Sequence, residues 1–78
     1  MLLTEYQKND LLKLMNEYIK TKETSLFPVL NEVITSIEAG NVVDAYQARY
    51  LRDAIYSSEE NMAKYKELEE TLVAEFFS

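Results

Sequence analysis

Residues 44–77 read DAYQARYLRDAIYSSEENMAKYKELEETLVAEFF, and no proline or glycine interrupts them. Apolar residues recur in this stretch at alternating spacings of three and four, which is the heptad seam of a packed helix. The seam runs through Ala48, Leu51, Ile55, Ser58, Met62, Tyr65, Glu69, Leu72 and Phe76, of which only Ser58 and Glu69 are not apolar. A continuous helix of about 34 residues would be roughly 50 Å long. We therefore predict one long C-terminal helix, continuous or gently kinked near Ser57-Ser58.

The serine pair in this stretch also permits a second interpretation. Ser57 and Glu60 have the spacing of a capping box, in which each side chain satisfies a free backbone N–H of the other residue. Such a box would divide the stretch into helices over 44–56 and 59–77. The heptad seam keeps its phase through Ser58, and this continuity favours the single helix. The alternative is a compact bundle of three or four helices with a corner at the two serines.

The N-terminal half predicts a helical hairpin. Thr4 with Gln7 matches the capping box and predicts where the first helix begins. An apolar stripe at helical spacing follows, through Leu11, Leu12, Leu14, Met15, Tyr18 and Ile19. After a turn over 22–25, we expect a second helix to begin near Ser25. Pro28 then lies in its first turn, where the N–H groups have no intrahelical acceptor.

The end of the second helix is predicted from glycine. Gly40, the only glycine, follows the last periodic residue, and we predict that it takes the left-handed C-cap conformation. Asn41 and Asp44 are candidate caps for the next helix. The chain has neither an alternating strand pattern nor a hairpin turn dipeptide. We predict an all-α fold with one domain over residues 1–78.

The predicted helix lengths imply an uncovered apolar surface. The two N-terminal helices, roughly 27 and 21 Å long, would cover about half of the long helix. The remainder would expose a surface of the kind that forms interfaces. Without cysteine, a chain of this size also lacks a disulfide to support its small core. We therefore predict a homodimeric bundle whose interface comprises Met62, Tyr65, Leu68, Leu72, Val73, Phe76 and Phe77.

The charge distribution bounds the possible partners. Fourteen acidic and eight basic residues give a net charge of −6. Residues 23–48 hold four acids and no base, and residues 57–78 hold six acids and two bases. Direct binding to DNA or RNA is disfavoured, because that affinity depends on Lys and Arg neutralising phosphates. A basic protein partner is compatible with this charge, and so is a simple role in solubility.

The residue types in the chain argue against catalysis. Histidine and cysteine, the commonest general base and the best thiol nucleophile, are both absent. Their absence also disfavours a zinc site. We expect no enzymatic activity, no catalytic residues, no cofactor and no metal. The chain shows no signal-peptide pattern and no apolar run of membrane length, so we expect a cytoplasmic protein without a membrane partner.

Two candidate partner-binding surfaces follow from the sequence. The first is an acidic face on the C-terminal helix, comprising Glu59, Glu60, Glu67, Glu69 and Glu70. Carboxylates on a rigid frame can stand in for DNA phosphates and speed association with a basic groove. The second is a patch of residue types that dominate binding hot spots, Tyr46, Arg49 and Tyr50. The two tyrosines could instead cap the core, and Phe76-Phe77 could dock a partner rather than a second copy.

One segment carries a resemblance to a known family. Residues 37–44, IEAGNVVD, followed by Tyr46, Tyr50 and Leu51, are similar to small acidic helical antirepressor proteins of low-GC Gram-positive bacteria, of the AbrB-antirepressor type. The opening Thr4-Glu5 with Gln7-Lys8 and Leu11-Leu12 is similar as well. In size and charge the chain also resembles phage host-takeover proteins. The resemblance implies a helical dimer that occupies the DNA-binding surface of its target.

These observations predict a small protein that binds and inhibits another protein. The favoured partner is a basic nucleic-acid-binding protein, inhibited by DNA mimicry or occlusion through the acidic helix faces. One alternative is an inhibitor of a metabolic enzyme that acts through apolar and aromatic contacts. Another is a helical assembly module that is acidic only for solubility.

Overall fold

The computed structural model describes residues 1–40 and 42–78, and helices dominate it. Five α-helices follow one another as α1 (Glu5–Ile19), α2 (Phe27–Gly40), α3 (Ala45–Ile55), α4 (Glu59–Lys64) and α5 (Lys66–Leu72). A 3-10 turn at Thr24–Leu26 precedes α2, and a π-helical turn at Val73–Phe77 follows α5. The all-α class predicted from the sequence is confirmed. In the described residues, β pairing is limited to one isolated bridge between Leu2 and Val42.

Side-chain caps begin α1 and α3. Thr4 Oγ1 accepts from the Gln7 backbone N–H at 3.1 Å, and Gln7 Oε1 accepts from the Thr4 N–H at 3.0 Å. This capping box confirms the prediction for the first helix. Asp44 caps α3 as predicted, and Gln47 completes a second capping box with it.

The end of α2 differs from the prediction. Gly40 is the last residue of the helix, and its φ does not lie in the left-handed region. The predicted left-handed cap at Gly40 is therefore wrong, because the helical backbone continues through this residue. Asn41, a candidate cap for the next helix, lies outside the described residues.

The prediction of one continuous C-terminal helix is also wrong. The helix α3 ends at Ile55, and Ser58 is extended, with φ −154° and ψ 156°. Ser58 caps α4 by accepting from the Asn61 N–H at 3.0 Å. Ser57 Oγ donates to the Ala54 carbonyl at 2.6 Å. The side chains of the corner thus bond to backbone groups within it. The alternative interpretation, with a break at the serines, is the observed one. The cap, however, is Ser58 and not Ser57.

The fold-back removes the uncovered surface from which the dimer was predicted. The chain measures 31 × 29 × 22 Å, with a radius of gyration of 11.5 Å. A compact chain of 78 residues has a radius of gyration of about 11.5 Å, so the protein is compact as a single copy. Tyr65, Leu68 and Leu72 lie in the chain's own core, not on an open face. Val73, Phe76 and Phe77 are half-buried, and Met62 stays exposed.

The core lies between α1, α2, α3 and the returning α5. Each helix buries one stripe, and the fully buried large side chains are Leu11, Leu14, Met15, Leu30, Val33, Ile37, Val43, Leu51, Ile55 and Leu72. The N-terminal segment crosses the loop between α2 and α3. There the Met1 nitrogen donates to the Val43 carbonyl at 2.7 Å, and the Val43 N–H donates to the Met1 carbonyl at 2.8 Å. This crossing brings the start of α1 to a fixed position beside α5.

Candidate functional site

A polar groove lies where α1 passes the junction of α4 and α5. Its volume is about 300 Å³, and it is lined by Tyr6, Gln7, Asp10, Lys64, Tyr65, Glu67, Leu68 and Thr71. We call it the α1–α5 groove. It joins residues that are more than fifty positions apart in the sequence, and within one chain the corner at Ser57-Ser58 brings them together.

Tyr65 is the buried polar residue of the groove. It lies between α4 and α5, where the backbone departs from helical geometry with φ −108° and ψ 24°. The side chain is only 4% exposed, and its hydroxyl has no hydrogen-bond partner in the described part of the chain. Burial raises the pKa of Tyr65 above its ordinary value of 10.0. The charge of Lys64 lowers this pKa, and the carboxylates of Glu17 and Asp10 on α1 raise it. A buried hydroxyl without a partner costs free energy.

The charges around this hydroxyl have mixed sign with an acidic excess. Asp10 on α1 and Glu67 on α5 are both exposed. Lys64 lies over the Tyr65 ring, with Nζ 5.5 Å from the ring centroid. Tyr6, which is 86% exposed, presents its ring at the rim. A guanidinium or ammonium group binds to carboxylates, to a phenol oxygen and to the face of an aromatic ring. The position of Lys64 shows that a cationic side chain fits in this groove.

The predicted acidic face does not form one row. Glu59 and Glu60 lie in the first turn of α4. The helical break at Tyr65 separates them from Glu67, Glu69 and Glu70, which lie on α5. Glu67 and Glu70 are exposed and lie about 60° apart around α5. Glu69 is half-buried and lies about 160° from Glu67 on this wheel. Of the five acids predicted to bind a partner, only Glu67 lines the groove.

The predicted aromatic patch is held in a defined geometry. The Tyr46 and Tyr50 rings pack edge-to-face with centroids 5.4 Å apart, and their hydroxyls share a hydrogen bond of 3.5 Å. This hydrogen bond is the main cause that raises the pKa of Tyr46. Tyr50 packs against the core, Tyr46 is 54% exposed, and Arg49 is exposed. The core-capping interpretation therefore holds for Tyr50, whereas Tyr46 is exposed and its role in partner binding stays a prediction.

The C-terminal aromatic pair is partly used within the fold. The guanidinium carbon of Arg52 lies 3.9 Å from the Phe77 ring centroid, and Arg52 Nε is buried without a hydrogen-bond partner in the described residues. Phe76 and Phe77 both pack against the core. This contact ties the π-helical turn to α3.

Sequence reasoning assigned no binding role to five of the eight residues that line the α1–α5 groove, namely Tyr6, Gln7, Asp10, Lys64 and Thr71. Tyr6 and Asp10 are i,i+4 neighbours on α1. An exposed aromatic followed one turn later by an acid is the only local signal, and many surface helices share it. Their approach to α5 depends on a corner that the sequence pattern leaves ambiguous.

Comparisons with protein-family models, with curated proteins and with solved structures found no match for this chain. Within residues 1–40 and 42–78, no group of three or more acidic side chains is arranged to hold a metal ion. No helix in the same residues combines the length and apolar character of a membrane span.

Proposed function

We propose that this protein binds a basic protein partner and inhibits it by covering a surface that the partner uses for nucleic acid. The observation that carries the proposal is the α1–α5 groove, which is lined by two exposed carboxylates, those of Asp10 and Glu67, together with the exposed ring of Tyr6. The protein acts by binding, without catalysis or a cofactor. The cytoplasm is the expected compartment, and the resemblance to antirepressors and phage host-takeover proteins agrees with this role.

The charge of the whole chain supports a basic partner. Apart from Glu69, which is half-buried, every Asp and Glu side chain is exposed. A net charge of −6 on so small a surface attracts a basic partner and speeds its association. The exposed carboxylates therefore bring the partner in, and the groove supplies a specific contact.

A partner's arginine fits the groove better than a lysine does. The planar guanidinium can bond to Asp10 and Glu67 together and stack on an aromatic ring such as that of Tyr6. A buried, charge-assisted contact of this kind contributes about 1.5–3 kcal/mol, whereas an exposed ion pair contributes about 0–1 kcal/mol.

The test is capture of partners from a bacterial lysate by the tagged protein, washed at low and at high salt. The double variant D10N/E67Q removes both groove carboxylates. The matched control E23Q/E38Q makes the same charge change at two exposed acids outside the groove. We expect a nucleic-acid-binding protein that high salt and D10N/E67Q release and that the control retains.

Inhibition is tested on the captured protein itself. Its binding to nucleic acid should fall when the wild-type chain is added and recover when D10N/E67Q is used instead. A captured protein that binds equally well to both double variants would place the contact elsewhere. A captured protein whose nucleic-acid binding is unaffected would contradict inhibition.

A second candidate function rests on Tyr46. An exposed tyrosine fixed by an edge-to-face neighbour is a rigid aromatic anchor, and it suits an apolar contact such as inhibition of a metabolic enzyme. A partner of this kind would resist high salt and would be lost with Tyr46→Ala. A salt-resistant partner that D10N/E67Q retains would favour this second function.

A further inference from the structure

The corner between α3 and α4 depends on few interactions. The backbone is still right-handed helical at Tyr56, with φ −78° and ψ −2°, and becomes extended at Ser58. Asn61 closes the corner, because its Nδ2 donates to the Ala54 carbonyl and to Ser57 Oγ, each at 3.3 Å. With the Ser58 cap and the Ser57 hydrogen bond, these contacts hold α4 in its turned position.

The sequence of the corner is also compatible with a straight helix. Residues 45–64 contain no proline or glycine, and the heptad seam keeps its phase through Ser58. Straightening would lose the side-chain bonds of the corner. In exchange, the first N–H groups of α4 would pair with carbonyls of α3 four residues earlier. At the corner itself, the two states therefore differ by a small set of local hydrogen bonds.

Straightening exposes the apolar side chains that follow the corner. Tyr65, Leu68 and Leu72 are buried in the core, where α5 contacts α3, and a straight helix would carry them into solvent. A second copy in the same straightened state offers an identical vacated surface. The contacts can re-form between copies without new side-chain chemistry, which is the physical basis of domain swapping.

We propose that α4, α5 and the π-helical turn exchange between two copies of this chain, with Ser57-Ser58 as the hinge. In the exchanged dimer the α1–α5 groove is built from both copies. Tyr6 and Asp10 come from one chain, and Tyr65 and Glu67 come from the other. The dimer carries two such grooves related by a two-fold axis, and they would fit a symmetric partner. This inference goes beyond the proposed function and does not depend on it.

The test uses the double variant S57A/S58A. Alanine removes the Ser58 cap and favours a straight helix through the corner. The turned corner of each chain is therefore destabilised by about the cost of an N-cap substitution. Because a dimer contains two opened corners, its dissociation constant should fall about thirty-fold relative to wild type. The control Ser58→Asp keeps a capping side chain, and its dissociation constant should stay close to that of wild type. Sedimentation equilibrium measures all three.

Exchange is distinguished from ordinary dimerisation by isotope-filtered NMR on a mixture of labelled and unlabelled copies. The dimer should show contacts between α5 methyl groups of one chain and α3 methyl groups of the other. A dimer in which these contacts stay within one chain would overturn the proposal, and so would an S57A/S58A variant that remains monomeric at millimolar concentration.

The wild-type chain provides an independent test should the double variant not fold. Refolded from denaturant at millimolar concentration, it should contain a dimer fraction with the same interchain methyl contacts. A wild-type sample that refolds entirely as monomer would also overturn the proposal. Partner capture by the α1–α5 groove could still succeed in that case, so failure of the exchange and failure of the proposed function are distinguishable.

Discussion

Single residues in this chain differ in how closely their chemistry determines their role. Thr4, Gln7 and Asp44 do what their side chains predict, because a helix N-terminus leaves N–H groups that these residues can bond. Gly40 does not, because glycine permits a left-handed backbone without requiring one. Tyr65 was assigned to a dimer interface on its apolar spacing, and its hydroxyl instead contributes a buried polar atom to the groove.

Gly40→Ala should stabilise the protein by about 0.5–1 kcal/mol, because alanine has the higher helix propensity and restricts the unfolded chain. The Cβ of the new residue would meet nothing within 4 Å. Urea denaturation at neutral pH measures the change. Ala39→Gly, at the exposed preceding position of α2, is the matched control and should destabilise by a similar amount. A destabilised Gly40→Ala protein would mean that the backbone there needs glycine.

Tyr65→Phe should change how stability depends on pH. The pKa of Tyr65 in the folded protein is raised above 10.0, so above that pH the unfolded chain loses this proton first. Stability should therefore be constant with respect to this group below pH 10 and fall as the pH rises towards the folded pKa. Tyr65→Phe should flatten that fall without lowering stability at pH 7, since the hydroxyl has no partner among the described residues. Denaturation midpoints between neutral and alkaline pH test this, and an unchanged alkaline slope would contradict it.

At the scale of elements, the positions of the helices in the sequence could be predicted, but the turn between α3 and α4 could not. Apolar periodicity and capping residues locate α1, α2 and α3 correctly, because these signals depend on neighbours in the sequence. The same periodicity runs through the Ser58 corner, so it does not distinguish a straight helix from a turned one. That choice depends on hydrogen bonds of Ser57 and Asn61 and on burial of α5 in the core beside α3. The groove could not be predicted for the same reason.

Phe77→Leu should loosen the π-helical turn from α3. Leucine keeps much of the apolar contact but removes the ring face over which the Arg52 guanidinium lies, 3.9 Å from the centroid. The expected loss is about 0.5–1 kcal/mol. Phe76→Leu is the comparison, because no cation lies over the Phe76 ring in the described residues. Equal losses for the two variants, measured by chemical denaturation, would show that apolar packing and not the cation sets the stability of this turn.

For the whole molecule, charge is the property most fully specified by composition. An excess of acids over bases needs no fold to be recognised, whereas the placement of those acids does. Five glutamates of the C-terminal stretch were expected on one face, and the break at Tyr65 distributes them over several directions. In the proposed function, the α1–α5 groove therefore makes the specific contact and the remaining carboxylates act at longer range.

Partner binding should consequently have a long-range electrostatic component, seen in the association rate, and a groove contact, seen in the dissociation rate. Raising the salt from about 50 to 200 mM shortens the screening length and should lower the association rate for wild type and for both double variants. At a given salt concentration, the dissociation rate of D10N/E67Q should be higher than that of wild type. The dissociation rate of E23Q/E38Q should stay near the wild-type value. Surface plasmon resonance at several salt concentrations measures both rates. Equal dissociation rates for the two double variants would mean that the groove makes no specific contact.

The most direct test of the central claim is an NMR titration of the ¹⁵N-labelled protein with a short arginine-containing peptide. The α1–α5 groove predicts saturable shifts concentrated at Tyr6, Gln7, Asp10 and residues 64–71, abolished in D10N/E67Q and preserved in E23Q/E38Q. Shifts spread over the acids of residues 23–48, or centred on Tyr46 and Tyr50, would contradict the groove as the site that receives a basic partner.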